Sequence, residues 1–472
     1  MLATDKKDRG NTWRRLFAGR PVTESSFHLA TPGHFLYWLG IAPVTFKKQI
    51  EPFGVCCYDH NLVPLELPKF SDGHAEATEP IAVNRNKAAA MCLQVDDFDD
   101  CNPLLRDAAK YATCVQADVL PCEWTAETRA LYVQWCRLLE GRFLAMRQEF
   151  RQERPDLVLL VQGFEPHNAV ARAVALELGI RVLALENTSR ADRLLWDGVT
   201  GLSGRNASQQ AYWRYKGSVG QAIYQDYCEH LIDVTKQLKS AEHQSPDGVG
   251  ACPSDEMTAT RQMKQIQTRP YVLFLGQVYT DSSQVFGLRQ WESPLEVLGE
   301  LVDWCEANDV GLVLKLHPKE ATGVNPVDNR SYNLLTYQKI KSDTDLMARL
   351  DSVAAVIDHD NQLDTYQLID QATVAVTVNS QSGLEAAIRG IPVVVCGDAN
   401  FGGLGFTFDA PQVDYLAVAM KLAFESGTTR DMIPTALPRT NLAREFTYLF
   451  FEKYCRPKTT GGLLELVRER LR

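Results

Sequence analysis

The stretch TVAVTVNSQSGLEAAIRGIPVVV, from Thr373 to Val395, determines the expected fold. It opens with an apolar run that ends near Val378 and closes with a second run after Ile391, and each run is typical of a strand buried on both faces. Between them, SGLEAAIRG carries apolar residues at helical spacing and ends on a glycine. Two apolar strands joined by a helix form a βαβ unit, so the sequence predicts a parallel sheet.

The same alternation extends in both directions along the chain. After residue 270, further strands are predicted in YVLFLGQ, GLVLKL and VAAVI, with helices between them. Before residue 240, PDLVLLVQG and IRVLALEN are predicted strands around one amphipathic helix, and a long helix is expected at roughly 126–150. We therefore predict an α/β protein with two doubly wound, Rossmann-like domains facing a cleft. They comprise residues 1–239 and 271–472, joined by the polar linker 240–270.

Composition limits the class of function. The chain of 472 residues is 45% hydrophobic and 23% charged, close to the average of soluble globular proteins. Its net charge of -10 argues against a general nucleic-acid-binding protein. There is no signal-peptide core, and no apolar run reaches the ~18 residues of a membrane span. We expect a cytoplasmic protein, at most peripheral on a membrane. The basic segment KKDRGNTWRR, from Lys6, is more typical of a solvated tail than of a lipid contact.

The sequence predicts no metal site. Its twelve cysteines are scattered and form no C-x-x-C pair, the spacing that zinc ligands usually show. Cys136 and Cys396 lie inside apolar runs and are expected to be buried thiols in a reducing compartment. The acidic cluster VDDFDD, at 95–100, contains metal-type ligands, but clusters of this kind are more often solvated loop ends.

A histidine and a proline end the predicted strand in GLVLKLHPKE. His317 and Pro318 follow the apolar run directly, with Lys315 inside it and Lys319 after it. Ligands of such sheets bind at the carboxyl ends of the strands, so an imidazole placed there is a candidate donor to an anion, and it can be cationic. The two lysines would add positive charge, although Lys315 is equally compatible with an edge position.

A second anion-binding element is predicted in the opening stretch. Asn379, Ser380 and Gln381 connect the strand to the helix, and Ser382 stands three residues before Glu385, the spacing of a capping box. Free N–H groups at such a helix start favour a phosphate, and Gly383 would leave room for it. A capped helix without a ligand is the alternative. Together with His317, the connector indicates a site for a nucleotide phosphate.

In this order, these stretches resemble the C-terminal half of bacterial capsule polysaccharide biosynthesis proteins. The resemblance rests on KLHPKE and on VNSQSGLEAAIRGIPVVVCGDANFGGLGFT, about 60 residues later. YVLFLGQVYTDSS is similar to the strand that opens their second domain, with Gln277 and Asp281 in the matching places. LENTSRADRLLWDGVTGLSG, from Leu185, is similar to their acidic residue followed by a D-x-x-G-V-N-G pattern. The resemblance covers roughly Leu157 to Thr407.

The resemblance implies a fold, an activity and a donor. Members of the family are GT-B-type glycosyltransferases, and the characterised branch transfers Kdo from CMP-Kdo without a metal ion or other cofactor. Residues 1–239 would then face the acceptor and residues 271–472 would bind the nucleotide sugar, with the last helices packing back on the first domain. The implied partners are the donor and a glycan or glycolipid acceptor, with peripheral contact to the inner membrane or to capsule assembly proteins and none to nucleic acid.

The resemblance also assigns roles to residues. Glu186 would be the general base, although the family's E-D-G reads Glu186-Asn187-Thr188 here, and Asp192 and Asp197 are the reserve acids. The base would take the proton of the acceptor hydroxyl, and His317 would stabilise the departing phosphate. The predicted donor site comprises Gln277, Asp281, Lys315, His317, Pro318, Asn379, Ser380, Gln381, Ser382 and Gly383.

Two other functions stay open at this point. The same scaffold would also suit a UDP-sugar or a CDP-linked alcohol as donor. A non-catalytic partner in a capsule assembly complex would bind glycan or nucleotide without turnover. Two stretches are also ambiguous. CGDANFGGLGF, from Cys396, either contacts the donor sugar or is a flexible connector, and AYWRYKG, from Ala211, is more typical of a packed helix face than of a sugar or membrane contact.

Overall fold

The computed structural model describes residues 27–32, 55–60, 102–190, 192–197, 205–243, 263–264, 269–325, 327, 330–429 and 436–471. The basic segment from Lys6, the VDDFDD cluster and most of the predicted linker lie outside these residues. The described residues divide into two compact units. The first holds residues up to Thr113, Thr125–Ala207 and the chain from Tyr454 onward, and the second holds Cys114–Trp124 and Ser208–Lys453. Residues 208–239 thus group with the second unit, unlike the predicted division.

The helices and strands alternate along most of the described chain. Up to residue 243 they are β1 (Phe27–Pro32), β2 (Val55–His60), α1 (Pro103–Ala117), α2 (Ala126–Glu153), β3 (Leu157–Val161), α3 (Pro166–Glu177), β4 (Arg181–Asn187), β5 (Arg193–Asp197), α4 (Arg205–Tyr215) and α5 (Gln221–His243). From residue 271 they are β6 (Tyr271–Leu275), α6 (Ser282–Gly287), α7 (Pro294–Asn308), β7 (Gly311–Lys315), α8 (Lys319–Thr322), α9 (Leu335–Ser342), α10 (Thr344–Ser352), β8 (Val356–Asp358), α11 (Thr365–Gln371), β9 (Val374–Thr377), α12 (Ser382–Ile388), β10 (Val393–Val395), β11 (Phe408–Asp409), α13 (Val413–Thr428), α14 (Ala436–Leu449), β12 (Arg456–Pro457) and α15 (Thr460–Leu471).

The first unit contains a sheet in the order β12-β5-β4-β3-β1-β2. Strands β1 to β4 are parallel, as predicted, whereas β5 pairs antiparallel with β4 and β12 antiparallel with β5. The antiparallel edge was not predicted. It follows from chain length, because only residues 188–192 join β4 to β5. A parallel neighbour would need a crossover of about a dozen residues or more.

The last helix completes the core of the first unit. Leu463, Leu466 and Val467 of α15 pack against leucines of β3, β4 and β5, including Leu159 and Leu183, and all of these side chains are buried. At its outer end, Arg470 donates from Nε to the Val182 carbonyl of β4 at 3.0 Å. α14, the other segment expected on the first domain, instead groups with the second unit.

The second unit contains a fully parallel sheet in the order β11-β10-β9-β6-β7-β8. Every residue of β6 and β7 is buried, which explains why these strands read as continuous apolar runs. The chain builds outward from β6 through β7 and β8, then returns to the other side of β6 with β9. The predicted doubly wound α/β class is confirmed, and the switch point of the sheet lies between β6 and β9.

Two expectations from composition concern the described residues. Cys136 and Cys396 are both buried, as expected. Burial is also the main cause that raises the pKa of the Cys396 thiol, so this group behaves as a small apolar side chain. In the part of the chain that the structure describes, no helix is long and apolar enough to cross a membrane.

Candidate functional site

Three loops of the second unit emerge at the carboxyl edge of its sheet. They follow β6 (residues 276–281), β7 (residues 316–318) and β9 (residues 378–381). The strands are parallel and β6 lies between β7 and β9, so the loop after β6 is flanked by the other two. Neighbouring strands are about 4.8 Å apart. The sequence-predicted donor residues are therefore brought to one edge of one sheet, on both sides of the loop after β6.

His317 is half-buried two residues beyond β7. Its Nδ1 accepts a hydrogen bond from the Lys319 backbone N–H at 3.1 Å. A ring nitrogen that accepts carries no proton, so the imidazole holds its proton on Nε2 and donates from there. Pro318 caps α8 with φ of -56°, within the range that its ring fixes, and ends the strand. This hydrogen bond favours a neutral imidazole with its proton on Nε2, whereas the sequence also allowed a cationic ring.

The connector after β9 is held by its own hydroxyl groups. The Ser380 N–H donates to Thr377 Oγ1 at 2.9 Å, and the Ser382 N–H donates to Ser380 Oγ at 3.4 Å. The capping box predicted for Ser382 and Glu385 is wrong. The helix cap is Gln381, whose side chain makes no capping hydrogen bond, and the Glu385 N–H donates to the Gln381 carbonyl at 3.2 Å. Ser382 is instead the first residue of α12.

Gly383 is required by packing within the protein. A Cβ at this position would lie 2.9 Å from Phe401 Cζ and 3.0 Å from Thr377 Cγ2, closer than real Cβ atoms come. Both neighbours are fully buried, so they have little freedom to give way. The space on the Cβ side of Gly383 is therefore filled by protein, so internal packing is sufficient to require a glycine here.

The Gly-rich loop after β10 is anchored at several points. The Gln381 Nε2 donates to Asn400 Oδ1 at 2.9 Å, and the Ser208 hydroxyl of α4 donates to the Asn400 carbonyl at 3.0 Å. The Gly403 N–H donates to the Asp409 carboxylate at 3.1 Å. Desolvation raises the pKa of Asp409, while hydrogen bonds from Gly403 and from Thr407 oppose that rise. These contacts tie the loop to the connector and make it an ordered element rather than a flexible one.

An amide network joins the loop after β6 to the connector after β9. Gln284 is only 1% exposed, and its Nε2 donates to Gln277 Oε1 at 2.6 Å and to Asn379 Oδ1 at 3.0 Å. Asn379 Nδ2 in turn donates to the Ser283 carbonyl at 2.7 Å. Asp281 caps α6 by accepting the Ser283 N–H at 2.9 Å. Gln277, Asp281 and Asn379 were predicted at this site, whereas Gln284 was missed because it lies inside a helix.

Glu320 is a further residue that the sequence did not single out. Its side chain is 1% exposed and accepts three hydrogen bonds. Oε1 accepts the Tyr279 N–H at 3.0 Å and the Thr336 hydroxyl at 2.5 Å, and Oε2 accepts the Thr336 N–H at 2.9 Å. Desolvation raises the pKa of this carboxyl, and the three hydrogen bonds oppose that rise. The only sequence signal was its place in the turn, three residues after His317.

Lys315 does not join the donor site. Its ammonium is 3% exposed and forms a buried ion pair with Asp358. It also donates to Asn361 Oδ1 at 2.7 Å and to the Leu363 carbonyl at 2.8 Å. An ammonium has three donors, and these acceptors use all three. The prediction that Lys315 adds charge beside a phosphate is therefore corrected, because the residue fixes the loop after β8 instead.

The predicted base lies at the carboxyl edge of the first sheet. Glu186 is the penultimate residue of β4 and is half-buried. Its Oε1 accepts a hydrogen bond from Gln162 Nε2 at 3.1 Å. Gln162 follows β3 with a positive φ of 56°, and its N–H donates to the Leu185 carbonyl at 2.9 Å. The first unit thus presents a carboxylate with an amide partner at the end of two neighbouring strands.

The two reserve acids differ from Glu186 in their surroundings. Asp192 lies in the β4–β5 loop and pairs with Arg190 at 2.7 Å and with Arg193 at 3.7 Å. Desolvation pushes its pKa up, but the hydrogen bond and charge of Arg190 outweigh this and lower the pKa overall. A lowered pKa makes Asp192 a weak base. Asp197 ends β5 opposite Ala184 of β4.

The groups at the carboxyl edge of the second sheet are an imidazole, hydroxyls and amides. Such groups recognise phosphate and sugar oxygens by hydrogen bonds. Among the described residues, no three His, Cys, Asp or Glu side chains lie close enough to hold a metal ion. The acidic VDDFDD cluster lies outside the described residues.

The aromatic stretch from Ala211 forms part of α4. Tyr212 is buried and its ring contacts Phe446 with centroids 5.7 Å apart. Trp213 is 57% exposed, and the Lys216 ammonium lies 4.7 Å from the centroid of its ring. The packed-face interpretation therefore holds for Tyr212, and Trp213 lies on the surface.

Comparisons with known proteins bear on identity. Residues 207–422 match the model of a family described as capsule polysaccharide biosynthesis protein. Among solved structures, the chain is similar to the KpsC beta Kdo 2,7 transferase of Thermosulfurimonas dismutans, with 16% identity over 68% of this chain and 89% of that one and a TM-score of 0.31. It is also similar to the UDP-GlcNAc 2-epimerase of Methanocaldococcus jannaschii, with 12% identity, coverage of 61% and 74%, and a TM-score of 0.30. A glycosyltransferase from Rickettsia africae ESF-5 gives 9% identity, coverage of 95% and 100%, and a TM-score of 0.34. No curated protein matches the sequence.

Proposed function

We propose that the protein is a glycosyltransferase of surface polysaccharide synthesis, because residues 207–422 match the model of the capsule polysaccharide biosynthesis protein family. In this proposal, Kdo passes from CMP-Kdo to a glycan or glycolipid acceptor, with inversion and without a metal ion. The observation that supports it most is the carboxyl edge of the second sheet. There the His317 turn and the connector around Asn379 flank one loop and hydrogen-bond networks fix all three.

The donor site would stabilise the leaving nucleotide. Negative charge gathers on the CMP phosphate as its bond to the sugar breaks, and preorganised donors aimed at that charge lower the barrier. His317 would donate from Nε2, the tautomer that its bond to the Lys319 N–H favours. The hydroxyls of Ser380 and Ser382 would add neutral donors. Because His317 Nδ1 and the Ser380 hydroxyl already accept hydrogen bonds from backbone N–H groups, these two side chains need little reorganisation during the reaction.

The acceptor hydroxyl needs a base. Glu186 would take its proton during attack, a contribution typically of about 10²–10⁴ in rate. The comparison of the two acids supports this choice. Arg190 and Arg193 lower the pKa of Asp192, which makes it a weaker base, and Gln162 Nε2 orients the Glu186 carboxylate through a hydrogen bond. Glu186→Gln is expected to abolish transfer and to leave CMP affinity unchanged.

The central experiment replaces His317 with alanine and measures CMP release from CMP-Kdo. One lost donor at a charge-stabilising site costs roughly 10²–10³ in rate. His230→Ala, which removes an exposed imidazole of α5, is the matched control and is expected to retain wild-type activity. A His317→Ala variant with wild-type CMP release would overturn the phosphate role.

The donor is tested separately from the residues. CMP, UDP and CDP are each added in a thermal-shift measurement, since a ligand that binds the native state raises its stability. We expect CMP to give the largest rise in Tm. A larger rise with UDP would reassign the donor. A CMP-dependent rise in a wild-type protein that never releases CMP from CMP-Kdo would instead favour a non-catalytic binding partner. Added EDTA is expected to leave the rate unchanged.

A further inference from the structure

We propose that Glu320 is a positioning residue that locks the His317 turn, the loop after β6 and the start of α9 into one arrangement and so fixes the donor geometry of His317. This inference rests on the proposed function. It deepens that function by naming the group that holds the phosphate-side residues in place without contacting the donor itself.

The burial of Glu320 is the first observation. A carboxylate that is 1% exposed loses its hydration, and only specific hydrogen bonds compensate for that loss. Glu320 has three, and they come from two segments that are distant in sequence, through Tyr279 and Thr336. A buried apolar side chain would generally stabilise a fold as well or better. The carboxylate therefore serves the geometry of the loops that it joins.

The second observation is the path from Glu320 to the imidazole. The Glu320 N–H donates to the His317 carbonyl at 3.0 Å, which closes the turn. Within the same turn, the Lys319 N–H fixes the imidazole through Nδ1 at 3.1 Å. Anchoring the Glu320 side chain therefore fixes the backbone that sets both the position and the tautomer of His317.

The third observation is that the same carboxylate reaches the other side of the site. The Tyr279 N–H donates to the Glu320 carboxylate, and the Tyr279 hydroxyl donates to Glu123 at 2.9 Å. Both the backbone and the side chain of this loop residue are therefore held. Two residues earlier, Gln277 enters the amide network that Gln284 extends to Asn379. A shift of Glu320 would thus displace both groups of predicted phosphate donors together.

Glu320→Gln is the sharpest perturbation. The amide keeps the size of the side chain but replaces one acceptor oxygen by an NH₂ group, which cannot accept from the N–H or hydroxyl that faces it. Thr336→Val is milder, because it removes the hydroxyl donor and leaves both backbone N–H bonds in place. Glu445→Gln is the matched control. Glu445 is also buried and accepts the Gly217 N–H at 2.7 Å, in a part of the unit that carries no predicted donor residue.

Two measurements separate positioning from a general loss of stability. The first is kcat and the KM for CMP-Kdo. We expect kcat to fall about 10²-fold in Glu320→Gln and about tenfold in Thr336→Val. In Glu445→Gln, kcat should stay unchanged even if its Tm equals that of Glu320→Gln. The second is the nitrogen-15 NMR signal of the His317 ring in the ligand-free protein. It should show an unprotonated Nδ1 in the wild type and a mixture of tautomers in Glu320→Gln.

The outcomes also distinguish this inference from the proposed function. The NMR measurement needs no substrate, so an unchanged His317 signal in Glu320→Gln overturns the positioning role even if the enzyme is inactive on CMP-Kdo. A changed signal in a protein whose wild type transfers nothing supports positioning and rejects the transfer reaction. If Glu320→Gln does not fold, Thr336→Val carries the test, and wild-type kcat with an unchanged ring signal in that variant overturns the inference.

Discussion

Replacing Lys315 with methionine is expected to destabilise the second unit and to leave nucleotide binding nearly unchanged. Lys315 and its partner Asp358 are both almost fully buried, and the lysine holds the loop after β8 through Asn361 and Leu363. Methionine keeps the length of the side chain but removes its charge and all three donors. The variant therefore tests whether the ammonium acts in the fold or on a phosphate.

The size of the effect follows from what remains around Asp358. Breaking a buried ion pair by removing one partner typically costs 3–5 kcal/mol, because the other charge is left uncompensated. Here Asp358 retains two backbone donors, from Gln362 at 2.8 Å and from Leu363 at 3.1 Å. We therefore expect the lower end of that range, about 3 kcal/mol, which is roughly a 10²-fold change in the folding equilibrium. In the double variant with Asp358→Asn, the buried charge is gone, and about half of the loss should return.

The assay combines urea unfolding, followed by circular dichroism, with calorimetric titration of CMP. The single variant should show a lower free energy of unfolding. Its CMP Kd should stay within about threefold of the wild-type value, which corresponds to a difference in binding free energy of less than about 1 kcal/mol. The reasoning is refuted by the reverse pattern. In that pattern, unfolding changes by less than about 0.5 kcal/mol, the value typical of neutral surface substitutions, and CMP affinity falls tenfold or more.

Three further predictions concern packing and ionisation. Gly383→Ala should lower the free energy of unfolding by about 1–3 kcal/mol in chemical denaturation, because the new methyl group meets the Phe401 ring. Leu463→Ala should destabilise the first unit by about 2–5 kcal/mol, detected as faster amide exchange in β3 and β4, because Leu463 is fully buried in that core. Desolvation raises the pKa of Glu320 above its ordinary 4.5, so the folded state binds a proton more readily than the unfolded one. On acidification from neutral pH toward about 4.5, the wild type should therefore gain stability relative to Glu320→Gln in parallel urea titrations, and a constant difference would contradict this.

The parallel sheet of the second unit could be predicted because its strands are buried on both faces. YVLFL at Tyr271–Leu275 and GLVLK at Gly311–Lys315 are continuous runs, and every residue in them is buried. The order of the loops at the carboxyl edge follows from that topology. In contrast, β5 has only three apolar residues between Arg193 and Asp197 at its ends, so it showed no strand pattern of its own. Its place depends on the short loop from β4.

Individual roles at the site could not be read from local sequence, because they depend on distant partners. Lys315 looked like a charge at the cleft until Asp358, on the neighbouring strand, accounted for it. Ser382 had capping-box spacing, but the Gln381 carbonyl takes the N–H of Glu385 and shifts the cap by one residue. Glu320 was not singled out at all, since nothing near it in sequence indicates the donors at Tyr279 and Thr336.

The edge strand β12 and the helix α15 of the first unit are encoded far downstream of its other strands, and this order affects how the protein folds during synthesis. During translation, β5 leaves the ribosome long before Arg456–Pro457 arrives to pair with it. Until then its outer edge and the leucine surface of β3 and β4 lack these partners, because Leu463 and its neighbours are synthesised long after β5. A nascent chain in this state presents the kind of open edge that recruits chaperones or aggregates. Synthesis of β12 and α15, rather than emergence of β1 to β5, is thus the event that completes the core of the first unit.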